Sequence, residues 1–550
     1  MKSVQPAPLY YLHNYRTLLQ WVRSRYVDLL SEAETCYADN FFQLSEPAQA
    51  LLTRLITRKG EYFRLSKIAY EEIPDISQAL EPLTQLGWLT LSPQVSINEV
   101  FTFLTRQELT TWLGKYAGSK TQWQAEFAQL YPGTKPWDDW FNEAELLLPK
   151  TKDFTGDLLA VTIMPLSDVY RLLFFGNHYQ ALSEFVLAEL GVFQYERVAF
   201  SSKCLSFTHR RDLEVYQQLQ RAREKFEQDG DISAALASMP SAASSPDWLA
   251  RRQHRFGFQF GVKLEQAKDY ERALDVYVNC GFSEARARRV RVLEKLARQQ
   301  EALALLTEAL AAPYSEAERQ QLERARPRLQ RALGIESEKP PVFRPASSQL
   351  TLKFGEWRVE QAVAEHLHCA QAPVFWVENY LWTGLFGLFF WPAIYAPVQG
   401  AFFNPFQARP KDLYHQRFAE RRAERIQECW QLLVADNYKA TLLQRYRDKQ
   451  GLQSPLVNWA QLSEDLVALA LDCIAPEQLS AIFTRMLFDL KANSAGFPDL
   501  IQFLPAQRCF RLIEVKGPGD KLQDNQLRWL EFFRHNDIAA EVCYVEWQQP

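Results

Sequence analysis

One short stretch near the C-terminus constrains the fold most: Phe510-Arg-Leu-Ile-Glu-Val-Lys516, followed by Gly517-Pro-Gly519. Its apolar and β-branched residues predict a strand, in which successive side chains point to opposite faces. One face then carries Leu512, Glu514 and Lys516, and the other carries Arg511, Ile513 and Val515. The glycines and proline that follow predict a turn that ends the strand. An acid and a base are therefore predicted to point into the same space.

A second apolar run, Leu500-Ile-Gln-Phe-Leu504, lies upstream and is opened by Pro498-Asp499. If the two runs are adjacent strands, Asp499 lies at the mouth of one, beside Glu514 and Lys516 on the other. This PD…ExK arrangement resembles that of metal-dependent nucleases. Phosphodiester hydrolysis needs an activated water and stabilisation of phosphoryl charge, which Mg²⁺ or Mn²⁺ supplies when oxygen ligands hold the ion.

Each of these groups has a predicted role in such a site. Asp499 and Glu514 would bridge or flank the metal, and the Val515 carbonyl, at the edge of the strand, would complete its shell. Lys516 would orient or deprotonate the attacking water and offset charge in the transition state. Gln526, on a predicted helix just downstream, would hydrogen-bond the site or the substrate.

A further carboxylate, Glu378, lies far upstream in the apolar segment Trp376–Trp391. We predict a helix here, with Glu378 as the single charged group at its entry. A carboxylate beside so much apolar surface needs a cation or hydrogen bonds to remain ionised. We therefore expect Glu378 to join the metal site, the alternative being a plain surface cap of the helix.

Composition bounds the class of protein. A chain of 550 residues is expected to form several domains, and its net charge of −4 confines any nucleic-acid surface to a local patch.

The eight cysteines are dispersed without a CxxC pair, which argues against zinc fingers and disulfide frameworks and for a reducing compartment. The N-terminus lacks the layout of a signal peptide, and the uncharged stretch 381–403 is broken by glycine and proline. We expect a cytoplasmic, nucleoid-associated bacterial protein without a membrane segment.

The chain is predicted to be mainly α and multidomain. Residues 1–95 follow the order helix, short strand, helix and apolar end, which resembles a winged helix, although a packing domain without DNA contact is an equal alternative. Residues 96–150 contain a capping box at Thr105-x-x-Glu108 and two amphipathic helices, which resembles the DNA-binding SAP module. Lys115 and Lys120 are then the expected phosphate contacts, and a bland helical hairpin is the alternative.

Residues 155–340 are predicted to be almost wholly helical, with degenerate TPR-like repeats and an exposed linker at 233–246. Arginines open one helix, among them Arg286 and Arg288, and guanidinium groups suit phosphate oxygens. We expect Arg286 and Arg288 to bind phosphate, although interspersed acids leave a solvated helical surface as the alternative. Residues 336–348 are predicted to be an interdomain linker, and residues 357–550 an α/β nuclease domain.

The segments around the two strands also resemble a known family. Gly496-Phe-Pro-Asp-Leu500, Leu512-Ile-Glu-Val-Lys-Gly-Pro-Gly-Asp-Lys-Leu522 and Gln526-Leu-Arg-Trp529 closely resemble the VRR-NUC nuclease domain of the PD-(D/E)xK superfamily. The upstream Glu378 segment and Phe403-Asn-Pro-Phe-Gln-Ala-Arg-Pro-Lys-Asp-Leu413 are similar to its Fanconi-associated nuclease branch. With the SAP-like and repeat segments in the same order, the resemblance covers most of the chain.

The resemblance implies a structure-specific nuclease that cuts near 5′ flaps, degrades DNA from 5′ ends and acts in repair of interstrand crosslinks. It gives Glu378, Asp499, Glu514 and Lys516 the family's metal-ligand and catalytic roles, and aligns Arg286 and Arg288 loosely with residues that hold a 5′-terminal phosphate. Eukaryotic members carry an N-terminal ubiquitin-binding zinc finger. The sequence has no matching Cys/His cluster, so we expect a short, bacterial-type member without ubiquitin-dependent recruitment.

Two other functions remain open at this point. A four-way junction resolvase would use the same nuclease fold, although large SAP-like and repeat segments favour flaps. A non-catalytic DNA-repair scaffold would combine binding repeats with a degenerate nuclease fold. The intact set of Asp499, Glu514 and Lys516 argues against the scaffold, because a scaffold has no physical need for two carboxylates around one lysine.

Overall fold

The computed structural model describes residues 8–114, 118–142, 154–180, 193–201, 204–240, 246–336, 343–353, 358–435 and 437–548. The chain forms two compact units, residues 1–193 and residues 194–550. Each unit has its own core, and they are described in turn.

The first unit begins with helices α1 (Tyr10–Tyr26), α2 (Glu32–Gln43), α3 (Glu46–Ile56) and α4 (Ile76–Gln85). Strand β1 (Tyr62–Arg64) lies between α3 and α4, and β2 (Leu89–Leu91) follows α4, in the predicted order. A third strand, β5 (Leu158–Val161), pairs antiparallel with both and forms the middle of their sheet. Helix α9 (Met164–Phe175) then packs on α1 and α2.

Strand β5 differs from the prediction that residues from 155 onward are almost wholly helical. Its four apolar residues are too few for their periodicity to separate a strand from a helix. Only pairing with β1 and β2, roughly a hundred residues and seventy residues away in sequence, makes it a strand.

The SAP-like segment holds α5 (Ile97–Phe103), α6 (Arg106–Leu113), α7 (Lys120–Leu130) and α8 (Trp137–Asn142). A two-stranded sheet of β3 (Gln94–Ser96) and β4 (Thr134–Pro136) closes it. The predicted capping box is confirmed, since Thr105 and Glu108 cap α6 reciprocally. Buried Arg64 of β1 joins this segment to the sheet through ion pairs with Glu108 and Asp157.

The second unit begins with an all-helical part that contains the repeats. Its helices are α10 (Arg210–Asp229), α11 (Ile232–Ala237), α12 (Asp247–Gln266), α13 (Tyr270–Val278), α14 (Glu284–Lys295), α15 (Gln299–Ala311) and α16 (Glu316–Ala332). Helices α12 to α16 pack consecutively, each on the next, as helical repeats do. Part of the predicted linker 233–246 is instead helical, because Asp231 caps α11. Helix α16 continues through Pro327.

The C-terminal part is built on a five-stranded mixed sheet in the order β6-β10-β9-β8-β7. β9 is central, antiparallel to β8 and parallel to β10. β6 begins at Ser347, so the prediction that the linker extends to residue 348 and the nuclease domain begins at 357 is wrong in this detail. Pairing with β10 orders that segment. The strands are β6 (Ser347–Leu352), β7 (Val374–Trp376), β8 (Leu500–Leu504), β9 (Cys509–Lys516) and β10 (Ala540–Trp547).

Helices cover both faces of this sheet. On one face, α17 packs on Ile513 and Val515 through Val363. On the other, α18 and α25 bury Trp382 and Trp529 in a large apolar core. The helices are α17 (Val359–Leu367), α18 (Tyr380–Phe389), α19 (Trp391–Ile394), α20 (Ala423–Val434), α21 (Tyr438–Lys449), α22 (Glu464–Cys473), α23 (Pro476–Phe488), α24 (Leu490–Asn493) and α25 (Asp524–His535).

The apolar helix α18, which contains the first part of the uncharged stretch 381–403, is buried in this core. Among the residues that the structure describes, no single helix is both long and apolar enough to cross a membrane. Only the pair α22 and α23, bent by 111°, reaches that length and composition when taken together.

Candidate active site

The carboxylates meet where β8 begins and β9 ends. Leu500 of β8 is paired with Ile513 of β9, and continuing this antiparallel register places Asp499 opposite Glu514. The Asp499 carbonyl also accepts hydrogen bonds from the backbone amides of Val377 (2.8 Å) and Glu378 (3.0 Å). Three distant segments of the chain therefore converge on Asp499.

Strand β9 presents its side chains as the sequence predicts. Leu512 packs in the large core, whereas Ile513 and Val515 pack on the α17 side, so Glu514 and Lys516 share the face of Leu512. The strand ends at Lys516, where Asp520 accepts a 3.0 Å hydrogen bond from the Gly517 amide. The alternation and the stop are both confirmed.

The backbone of Val515 also faces the carboxylates. Its amide donates to Asp499 Oδ2 over 2.9 Å. The N–H and C=O of one strand residue point to the same side, so the Val515 carbonyl lies toward Asp499, past the first residue of β8. β9 is an inner strand of the sheet, and only this last stretch is uncovered on the β8 side.

Glu514 is the most enclosed group of the site, with 1% of its surface exposed. Its Oε1 accepts hydrogen bonds from Lys516 Nζ (2.8 Å) and Gln526 Nε2 (2.5 Å). Its Oε2 is also buried, yet no hydrogen-bond donor among the described residues reaches it. A buried carboxylate oxygen without a donor is costly unless a cation neutralises it.

The two carboxyl groups resist ionisation. Burial raises the pKa of Asp499 to about 6, and the charges of Glu360 and Glu378 add to the effect. Burial and the charge of Asp499 raise the pKa of Glu514 to about 7, against the opposing influence of Lys516. Paired carboxyls with raised pKa values are typical of sites that bind metal or transfer protons.

Glu378 does not lie within the helix that the sequence predicts. Trp376 pairs with Leu500 as the last residue of β7, so the helix starts only at Tyr380. Glu378 occupies the intervening turn with an unusual backbone φ of +39° and an exposed side chain. The prediction that Glu378 lies at the entry of a helix is wrong, because the first residue of the segment, Trp376, pairs in a strand. Glu378 is nevertheless held next to Asp499 by its backbone hydrogen bond.

Sequence reasoning missed Glu360, which lies in the first turn of α17. Its charge contributes to the raised pKa values of both Asp499 and Glu514, so it belongs to the electrostatic surroundings of the site. A carboxylate in the first turn of the helix before β7 was the available signal. Acidic residues are common at helix starts, so the sequence alone did not distinguish Glu360 from an ordinary helix-stabilising residue.

The donor set suits a hard cation. Asp499, Glu514 and the Val515 carbonyl offer oxygen ligands, and Glu514 Oε2 has an unmet need for positive charge. Within the described part of the chain, no three His, Cys, Asp or Glu side chains already lie close enough together to hold a metal ion. Glu378 and Glu360 would therefore have to turn toward the pair to add a third carboxylate.

The predicted phosphate contacts lie elsewhere, and several are already engaged. Arg286, with 12% of its side chain exposed, makes a two-pronged ion pair with Glu318, so the structure does not offer it freely to phosphate. Arg288 is bonded to Glu265 and remains 35% exposed. Lys120 donates to the Leu104 carbonyl over 2.8 Å, and Lys115 lies outside the described residues.

Comparison with known proteins identifies both units. A family model of the VRR-NUC domain matches residues 435–547. A family model described as FAN1, HTH domain, matches residues 9–90, the segment predicted to resemble a winged helix. The Fanconi-associated nuclease 1 homolog of Pseudomonas aeruginosa is 42% identical over 98% of this chain and 96% of its own length.

The chain belongs to the Fanconi-associated nuclease family. The human Fanconi-associated nuclease 1 is 24% identical, and the match covers 98% of this chain and 62% of the human protein. A crystal structure of paFAN1 bound to DNA with a two-nucleotide 5′ flap and a gap superposes with a TM-score of 0.86, at 40% identity over the full length of both chains.

Family membership confirms the main predictions from the sequence. The chain is a structure-specific DNA nuclease with a mostly helical fold, an N-terminal helix–turn–helix region and a C-terminal mixed sheet. The individual roles predicted for Glu378, Asp499, Glu514, Lys516 and Val515 stay predictions, supported by the geometry described above.

Proposed function

We propose that this nuclease cuts DNA next to 5′ flaps by metal-dependent hydrolysis. The observation that carries the proposal is the convergence of Asp499, Glu514 and Lys516 at the ends of β8 and β9, where one buried oxygen of Glu514 has no hydrogen-bond donor among the described residues. Support for the flap comes from paFAN1, crystallised with 5′ flap DNA and similar over its full length. We extend the proposal to 5′-to-3′ exonuclease action and to repair of interstrand crosslinks.

The residues of this chain would divide the chemistry as follows. A bound Mg²⁺ or Mn²⁺ would supply Lewis-acid stabilisation of the phosphoryl oxygens and a more acidic water. Asp499, Glu514 and the Val515 carbonyl would hold it, with Glu378 turning in as a further ligand. With Glu514 neutralised in this way, Lys516 would be free to orient the attacking water and to offset developing charge as an ammonium group, and it would act as the base only after losing its own proton.

A comparison of substrates tests this proposal against its alternatives. The purified protein is incubated with a 5′ flap, a 3′ flap and a four-way junction, each with EDTA, Mg²⁺ or Mn²⁺. We expect cleavage near the 5′ flap only when a divalent ion is present. Preferred symmetrical cutting of the junction would indicate a resolvase, and binding without cleavage under every condition would indicate a scaffold.

We also propose DNA-contacting roles for the segments that precede the nuclease. Residues 96–150 would bind duplex DNA as a SAP-like module through Lys115 and Lys120, and residues 1–95 would assist as a winged helix. The repeats in 155–340 would bind the DNA near its flap, with Arg288 as a phosphate contact. Residues 357–550 would carry out the hydrolysis. A cytoplasmic, nucleoid-associated location remains part of the proposal, and microscopy of the tagged protein over stained DNA tests it.

A further inference from the structure

The repeat helices α14 and α16 enclose a groove of about 370 Å³. Four arginines line it: Arg288, Arg291, Arg324 and Arg328. They lie three apart on α14 and four apart on α16, spacings that bring side chains to the same face of a helix. Buried Val290 and Leu322 form part of its apolar floor. The groove is therefore a channel with an apolar base and a row of guanidinium groups along its rims.

These guanidinium groups are accessible and only partly neutralised. Their side chains are 35% to 60% exposed. Among the described residues their acidic partners are Glu265, which Arg288 and Arg291 share, Glu294 beside Arg328 and Asp524 beside Arg324. The pairs of Arg324 with Asp524 and of Arg328 with Glu294 are partly or largely exposed, and such ion pairs stabilise a protein by only about 0–1 kcal/mol. Glu265 is buried and keeps its pairs, but Arg288 and Arg291 remain 35% and 60% exposed beside it. A phosphate can therefore displace the acids from Arg324 and Arg328, and it can bind the exposed sides of the other two guanidinium groups through two-pronged hydrogen bonds.

One rim of the groove touches the helix that supports the active site. Arg324 is bonded to Asp524 over 2.5 Å, and Arg528 donates to Gln320 of α16 over 3.1 Å. Asp524 opens α25, and two residues later Gln526 donates to Glu514. The start of α16 is held as well, because the Glu316 amide donates to Asp489 over 3.2 Å. One end of the arginine row, at Arg324, thus contacts the helix whose Gln526 reaches Glu514.

We infer that the groove between α14 and α16 binds the sugar–phosphate backbone of the DNA strand next to the bond that is cut. This inference rests on the proposed function and extends it to Arg291, Arg324 and Arg328. A row of exposed guanidinium groups suits a polymer with regularly repeated phosphates. A single small anion would instead require converging, buried donors, which this open groove does not provide.

The test is the salt dependence of DNA binding in EDTA, where no cleavage occurs. Binding of a fluorescent 5′ flap is measured over a range of KCl for the full chain and for the double variant Arg291→Gln/Arg328→Gln. Each phosphate contact contributes about 0.9 to the slope of log affinity against log salt. We expect the double variant to lose about 2 in slope and on the order of tenfold in affinity.

Two further double variants make the result specific. Arg223→Gln/Arg298→Gln removes the same charge from exposed ion pairs outside the groove and should leave the slope nearly unchanged. Arg291→Lys/Arg328→Lys keeps both charges and should restore most of the slope, which also shows that the positions tolerate substitution. An unchanged slope in Arg291→Gln/Arg328→Gln, or an equal loss in Arg223→Gln/Arg298→Gln, would overturn the inference.

The outcome is separable from that of the proposed function. Because binding is measured without cleavage, a slope that falls as expected supports the groove even if no substrate is cut. If the chain cuts 5′ flaps with a divalent ion and the groove variants bind with the wild-type slope, only the inference fails.

Discussion

Lys516 Nζ donates to Glu514 Oε1 over 2.8 Å, although both side chains are predicted to act on other groups during cleavage. In this arrangement the lysine neutralises one oxygen of Glu514, while the other, Oε2, is buried and receives no hydrogen bond from the part of the chain that the structure describes. Glu514 could therefore exchange the positive charge of Lys516 for that of a bound metal ion. A divalent ion at Glu514 would free the ammonium group for the water and the phosphate.

The first prediction concerns catalysis by Lys516 and Asp499. Lys516→Ala and Asp499→Ala should each lower the single-turnover rate of flap cleavage by at least about a thousandfold. Each substitution removes a charged side chain that is proposed to stabilise the transition state. Flap affinity in EDTA should stay near wild type. Lys439→Ala, at an exposed lysine paired with Asp472, serves as control and should cleave normally. Wild-type rates in either site variant would remove the catalytic assignment.

The second prediction concerns pH and stability. The pKa of Asp499 is raised from 3.8 to about 6 and that of Glu514 from 4.5 to about 7, so the folded chain binds these protons more tightly than the unfolded chain. In EDTA the contribution of this pair to stability is therefore greatest near pH 4 and is lost as pH rises to about 7.

Thermal melting across this pH range measures the effect. In Asp499→Asn the melting temperature should fall less with rising pH than in the wild type, because one titrating carboxyl is gone. Saturating Mn²⁺ should also reduce this fall, because the bound ion neutralises the ionised carboxylates. Metal affinity should in turn rise with pH, because both carboxyls must ionise to bind. A wild-type melting profile that matches Asp499→Asn throughout would contradict the assignment of raised pKa values.

The third prediction concerns Glu360. Its negative charge helps to raise the pKa of both Asp499 and Glu514, so Glu360→Gln should lower these pKa values and move the rise of the pH–rate profile toward lower pH. Glu365→Gln, at an exposed position on the same helix, is the matched control. A profile that is unmoved would exclude the electrostatic role, and a loss above about a hundredfold would instead indicate direct metal ligation.

The fourth prediction concerns Gln526, which supports Glu514 from α25. Gln526 Nε2 donates to Glu514, and Gln526 Oε1 accepts from the Gln523 amide over 2.9 Å. Gln526→Glu keeps the acceptor that caps α25 but replaces the donor to Glu514 by a carboxylate, whose like charge favours the protonated form of Glu514. We expect Mn²⁺ affinity and cleavage rate to fall about 10–100-fold with little change in melting temperature. Titration calorimetry with Mn²⁺ measures the affinity, and unchanged affinity would show that Glu514 needs no second donor.

The fifth prediction concerns Gly496, which precedes the Pro498-Asp499 start of β8. Its φ is +91°, and an added Cβ would lie 2.8 Å from Asn525 Cγ on α25. Gly496→Ala should therefore cost more than the about 1–2 kcal/mol of backbone strain alone. Gly451→Ala, at φ +86° with no atom near the added Cβ, isolates that strain. Denaturant unfolding compares the two, and equal losses would show that Asn525 moves aside freely.

Several features could be predicted from the sequence because neighbouring residues dictate them. Alternation along Phe510–Lys516, the stop at Gly517 and the capping box of Thr105 and Glu108 all depend on contacts within a few residues. The same local logic placed Asp499 immediately before the apolar run that forms β8.

Other features escaped because distant segments create them. β5 and β6 are short runs that become strands only by pairing with partners far along the chain. Arg286 is a plausible phosphate ligand in the sequence, but folding brings Glu318 within 2.8 Å and occupies it. The arginine groove likewise exists only because α14 and α16, separated by a whole helix, pack side by side.

The sequence by itself determined which residues are proposed to carry the chemistry, because the acid, the base and the strand that aligns them occupy one short segment whose backbone geometry follows from its residues. Only the tertiary structure decided how that chemistry is controlled. Burial raised the pKa values of Asp499 and Glu514, and long-range packing brought Glu360, Glu378 and Gln526 around them. Electrostatic energies depend on distance and solvent exposure in space, which the order of residues along the chain does not contain.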